Sequence, residues 1–217
     1  MVKRTSTPAA TSDDQIRALL DRYQCPVPFH AVRTRFLGII ASPAPSVSPI
    51  ETVKALWGGE LPAFETLDAA NELLDALVMG LWNRLTRHQE RGAPFRLARV
   101  TVPETRESVA RIASIRREEI DGFVEGLFGT QERLDLPERA HRALGTLSEM
   151  RALLEGVHAV VGDPAKPTTT EDIAGIMRRV HKMTKIAEHE VHEAVLSCAR
   201  ARRQMLRTMS SAKPTLN

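Results

Sequence analysis

The densest group of side chains able to do chemistry is Glu188-His189-Glu190-Val191-His192-Glu193. On a helix, Glu188 with His192 and His189 with Glu193 fall four residues apart, within reach of one cation. A zinc-protease helix needs His-Glu-x-x-His so that both imidazoles share a face. Here the two histidines lie one residue too close, and that reading fails. Di-metal carboxylate bundles use Glu-x-x-His on two helices with further glutamates. Neither such pair occurs within this group. The group is read as a solvated helix face, with no metal and no cofactor. The only two cysteines, Cys25 and Cys198, are far apart. A thiol nucleophile needs a base beside it, and His30 is the only local option for Cys25. No catalytic constellation emerges, and the chain is expected not to be an enzyme.

A second feature is charge. From Val195 to Asn217 there are Arg200, Arg202, Arg203, Arg207 and Lys213, and no Asp or Glu. The whole chain carries a formal net charge of +3, so the remainder is net acidic. Such cations could neutralise phosphates in a salt-sensitive, sequence-blind way. They could equally meet an acidic protein surface or complement the end of a helix. No aromatic residue lies in this tail, so a base-stacking platform is not expected. Met177, Met183, Met205 and Met209 run along the same stretch. Methionine suits both adaptable helix–groove contacts and core filling.

The elements that position these residues read as helices. Ser12-Asp13-Asp14-Gln15 is a capping box, followed by Ile16, Leu19, Leu20 and Tyr23 at helical spacing. Cys25 to Pro28 should end that helix, and Pro28 suits the start of the next, with Phe29, Val32, Phe36, Leu37 and Ile40 as its stripe. Ser42 to Pro49 is a proline-rich turn, Ser48-Pro49-Ile50-Glu51 a strong helix start, and Gly58-Gly59 a stop. Thr66 caps a long helix over Leu67–Arg91 with leucines at three- and four-residue steps, closed by Gly92 and Pro94. Residues 93–104 alternate weakly through Phe95, Leu97, Val100 and Val102, which suggests a short extended piece.

Helical periodicity resumes from Val109 to Phe128, where Gly122 and Gly126 should admit a close neighbour. Pro137 opens another helix, and Thr168 with Glu171 caps a last one from Thr170 to about Met209. At ~1.5 Å per residue that helix spans about 60 Å, more than a domain of this size is wide. It should project, bend or pair with another chain.

The class is all-α: a compact multi-helix domain with a long C-terminal helix. The chain is read as a disordered N-terminus (1–11), a helical domain (12–161) and a long amphipathic basic helix (168–210). At 217 residues, with 42% hydrophobic and 26% charged residues, it can bury a proper core. No apolar run approaches the ~18 residues of a membrane span. The first residues lack a secretory signal pattern. Two unpaired cysteines fit a reducing cytoplasm.

Phe36-Leu37 to Pro43, Leu56-Trp57, Pro62-Ala63-Phe64, Trp82-Asn83 and Gly122-Phe123-Val124-Glu125-Gly126 together resemble the YecA/YgfB-like family of bacterial all-helical proteins. The resemblance covers roughly residues 28–160. Thr34-Arg35 stands where that family usually has Asp-Gly, and the C-terminal zinc motif of its longer members is absent. The resemblance implies a compact cytosolic helical domain without catalytic residues, regulatory through protein contacts. The functional expectation is a non-enzymatic interaction module, docking a protein partner or a second copy through the C-terminal helix. The alternative is a nucleic-acid-associated regulator using the basic helix.

Overall fold

The computed structural model describes residues 11–43, 48–163, 165 and 169–211. Residues 1–10, Thr168, Lys213 and the turn over 44–47, for which the sequence carries expectations, lie outside them. Among the described residues the chain is all-α, with no strand. Two compact units divide it: residues 1–29 with 47–84, and residues 30–46 with 85–217. The long C-terminal helix belongs to the second unit.

In the first unit, α1 (Asp13–Arg22) starts on the capping box: Gln15 N donates to Ser12 Oγ, and Ser12 N to Gln15 Oε1. It buries Ile16, Leu19 and Leu20. The helix stops before the prolines, with Gln24 in the left-handed region (φ 50°). α3 (Pro49–Lys54) runs into a 3-10 turn over Ala55–Trp57. Gly58 and Gly59, at φ 80° and 112°, stop it as the sequence predicts. Trp57 is half-buried, and its indole N–H donates to Tyr23 O at 2.9 Å. Tyr23 meets Phe64 edge to face, with centroids 5.1 Å apart.

The helix over 67–91 forms, but not as one regular α-helix. α4 (Leu67–Leu74), capped by Thr66, passes into a π-helix over Asp75–Trp82. α5 (Asn83–Thr86) and a 3-10 turn over Arg87–Gln89 follow. Leu73, Leu77 and Leu81 are buried, whereas Leu67 is exposed. A strict four-residue step drifts by about 40° per step around an α-helix. Widening to i→i+5 hydrogen bonds reduces that drift and keeps the three leucines in line.

In the second unit, α6 (Arg106–Phe128), α7 (Glu138–Gly162) and α8 (Thr170–Ser211) pack on one another. α6 and α7 are antiparallel, as Arg151–Asp121 and Arg117–Glu155 show. Residues 30–41 of α2 (Phe29–Ala41) cross α6 at contact distance. A Cβ on Gly126 would lie 2.0 Å from Arg35 O, and one on Gly38 2.2 Å from Phe123 O. Gly122 and Gly126 thus admit a neighbouring backbone, as their spacing suggests. The cap of α8 sits one residue later than predicted. Asp172 N donates to Thr169 Oγ1, and Thr169 N to Asp172 Oδ2.

Residues 93–104 form neither helix nor strand, and at residues 96–98 side chains satisfy the backbone instead. Leu97 N donates to Glu188 Oε1 at 3.1 Å and Ala98 N to Glu119 Oε1 at 2.7 Å. Ala98 O accepts from Arg116 at 2.7 Å and Arg96 O from Arg33 at 3.2 Å. Phe95 and Leu97 are buried on the inward-facing beats of the alternation. Arg116 (6% exposed) and Glu119 (0%) are hydrogen-bonded to each other, and Arg116 Nε also donates to Thr184 Oγ1 of α8. This buried pair ties the segment to α6 and α8.

Candidate interaction surface on the C-terminal helix

α8 has 42 residues, about 63 Å of helix. One side is apolar and covered within the second unit: Ile173, Met177, Val180, Ala187, Val191, Ala194, Val195, Leu196, Cys198 and Ala199 are all buried. Over this span the helix does not outrun its own core, because α6, α7 and the 3-10 turn over Arg87–Gln89 pack against it. Past Ala199 no residue whose burial is described is buried. Met205 and Leu206 are 59% and 61% exposed. The side chain of Met209 lies outside the described residues.

The histidine–acid group does not converge. Glu188 turns to Arg96 and the Leu97 amide, while Glu190 and Glu193 bind Arg139 of α7. Hydrogen bonding to Glu190 leads the causes that raise the Arg139 guanidinium's affinity for its proton. His189 is exposed. His192 is 8% exposed, and its Nδ1 is buried without a hydrogen-bond partner. Burial lowers its pKa, against a backbone hydrogen bond to Arg91. No three His, Cys, Asp or Glu side chains are placed to hold a metal among the described residues.

Burial pushes the Cys198 thiol up to about 11, so it stays protonated at neutral pH. His30, the base considered for Cys25, is engaged with Glu118 at 2.7 Å.

The basic residues separate into two groups. Arg202 turns inward and donates to Ile40 O and Ser42 O, so it caps the C-terminal carbonyls of α2. Burial lowers its pKa, with the nearby Cys198 opposing. Arg200, Arg203 and Arg207 are exposed; Lys213 lies outside the described residues. Sequence reading missed Arg178, Arg179, Lys182 and Lys185, which are exposed farther up the same helix. The signal was present in the spacing of 178, 182 and 185, which places three cations on one helix face.

What the fold defines is an all-α chain whose last helix is buried on one side and cationic on the other. No family model, curated protein or solved structure compared with the chain matches it. No helix among the described residues is long and apolar enough to cross a membrane.

Proposed function

We propose that this chain is a non-enzymatic interaction module of regulatory or adaptor type, acting through its helical surfaces in the cytoplasm. The observation that carries the reading is the end of α8. There Met205 and Leu206 stand exposed beside Arg203 and Arg207, on a helix anchored upstream by its buried side. Adjacent apolar and cationic side chains on a rigid helix suit a groove with an acidic rim, on a protein partner or a second copy. Membership of the YecA/YgfB-like family is proposed on the motifs quoted above, and it points the same way.

Light scattering and cross-linking at micromolar concentration test this reading. A Met205→Ser/Leu206→Ser variant should fold normally and lose the higher-mass species. A chain that is strictly monomeric and yields no cross-linked partner from its host contradicts it. The second reading, a nucleic-acid-associated regulator, is favoured by the exposure of Arg200, Arg203 and Arg207.

A further inference from the structure

The outer face of α8 carries more cations than the tail, and they are ordered. Arg178, Lys182 and Lys185 form one triad at four- and three-residue steps; Arg200, Arg203 and Arg207 form a second at three- and four-residue steps. All six are exposed. At about 100° per residue, all six fall within an arc of about 60° on one side of the helix. The buried residues Val191, Cys198 and Arg202's inward contact lie on the other side.

Pairing reinforces the asymmetry. The carboxylates of α8 beyond its first turn are neutralised from inside the second unit. Glu188 meets Arg96, and Glu190 and Glu193 meet Arg139. None of the six cations makes an ion pair among the described residues. The fold therefore consumes the negative charge of this helix and leaves the positive charge outward. Between the triads that line passes exposed His189, then His192, Glu193 and Leu196; His192 and Leu196 are buried and Glu193 is held by Arg139, so the two triads are separate exposed patches.

Spacing then selects among polyanions. The triad centres are about 22 residues apart, or about 33 Å along the helix. The same groove of a nucleic-acid duplex returns to one side every ~34 Å. We infer that the outer face of α8 is a double-stranded nucleic-acid backbone site, in which the two triads meet phosphates one helical turn apart. It reads no sequence, because its contacts are cations without an aromatic platform or an exposed amide ladder. The inference rests on the nucleic-acid reading above and extends it to Arg178, Lys182 and Lys185.

The test is fluorescence anisotropy of the full chain with mixed-sequence duplexes of about 8 and about 20 base pairs, in ~50–200 mM salt. The shorter duplex spans ~27 Å and cannot reach both triads. The longer one should bind at least tenfold more tightly. With four to six phosphates neutralised, log K should fall with log salt at a slope of about −3.6 to −5.4. R178Q/K182Q/K185Q and R200Q/R203Q/R207Q should each flatten that slope by about 2.7 and weaken binding tenfold or more. Glutamine keeps helix propensity near that of lysine and arginine, and circular dichroism confirms folding.

Equal affinity for the two duplexes overturns the inference. So does loss of binding confined to the tail variant, which leaves the nucleic-acid reading standing. No duplex binding, or tighter binding to poly-glutamate, removes both and leaves the protein-contact reading.

Discussion

Removing both members of the Arg116–Glu119 pair should cost the second unit about as much as removing one, and less than the two single losses added together. Arg116 is 6% exposed and Glu119 not at all, and together they hold Ala98 at its N–H and its carbonyl. Glu119→Leu leaves a buried guanidinium without its counter-charge and orphans the Ala98 amide. Breaking such a pair costs about 3–5 kcal/mol. Arg116→Met strands the carboxylate, which burial already pushes above its ordinary range against the opposing charge of Arg116, and should cost about as much. The double variant removes both charges and strands only the Ala98 amide and carbonyl, at about 1–3 kcal/mol each.

The two single costs sum to about 6–10 kcal/mol, while the double should cost about 2–6. The double-mutant cycle therefore has a coupling of several kcal/mol. Urea midpoints at constant m read it directly. Additive single losses, or single losses below about 1 kcal/mol, would refute the view that this pair clamps the segment.

Other consequences follow from burial, close packing and titration. Gly126→Ala should destabilise by about 1–3 kcal/mol or more, because its Cβ would sit 2.0 Å from Arg35 O. Gly145→Ala, with nothing within 4 Å, should stabilise by about 1 kcal/mol; thermal midpoints of the pair check both. Burial lowers the pKa of His88 and His192 below the ordinary 6.5. The unfolded chain then binds more protons once the pH drops below 6.5. Stability held above that pH should fall as the solution is acidified towards the folded-state values. His192→Gln should fall less steeply in urea titrations between about pH 8 and 5; equal slopes would contradict this. Cys198, its thiol held near 11, should resist iodoacetamide at about pH 8 until the chain unfolds. Rapid native alkylation of Cys198, mapped by mass spectrometry, would be the contrary result.

Helix periodicity made most of the fold legible. Ser12/Gln15, Gly58-Gly59 and Gly122/Gly126 act as their chemistry predicts, because capping and close approach are local matters. The π-helix over Asp75–Trp82 was not legible, since a four-residue leucine step fits an α-helical reading until packing decides the winding. Nor was the tether on residues 96–98, whose donors and acceptors come from α2, α6 and α8 and are distant in sequence. The length of α8 was readable, but its cover was not, because periodicity shows a stripe and not what lies against it. Arg202 shows the same limit within the basic tail: its neighbours in sequence are exposed while it binds α2 carbonyls.

The central claim is that the exposed end of α8 contacts another macromolecule. A photo-cross-linking residue at position 206, in cells of the native host, tests it most directly. The same residue at position 153, an exposed leucine on α7, serves as reference. A discrete cross-linked product is expected from position 206, lost with Arg203→Gln/Arg207→Gln and absent from position 153. Identical patterns at both positions, or no product at 206, would contradict it.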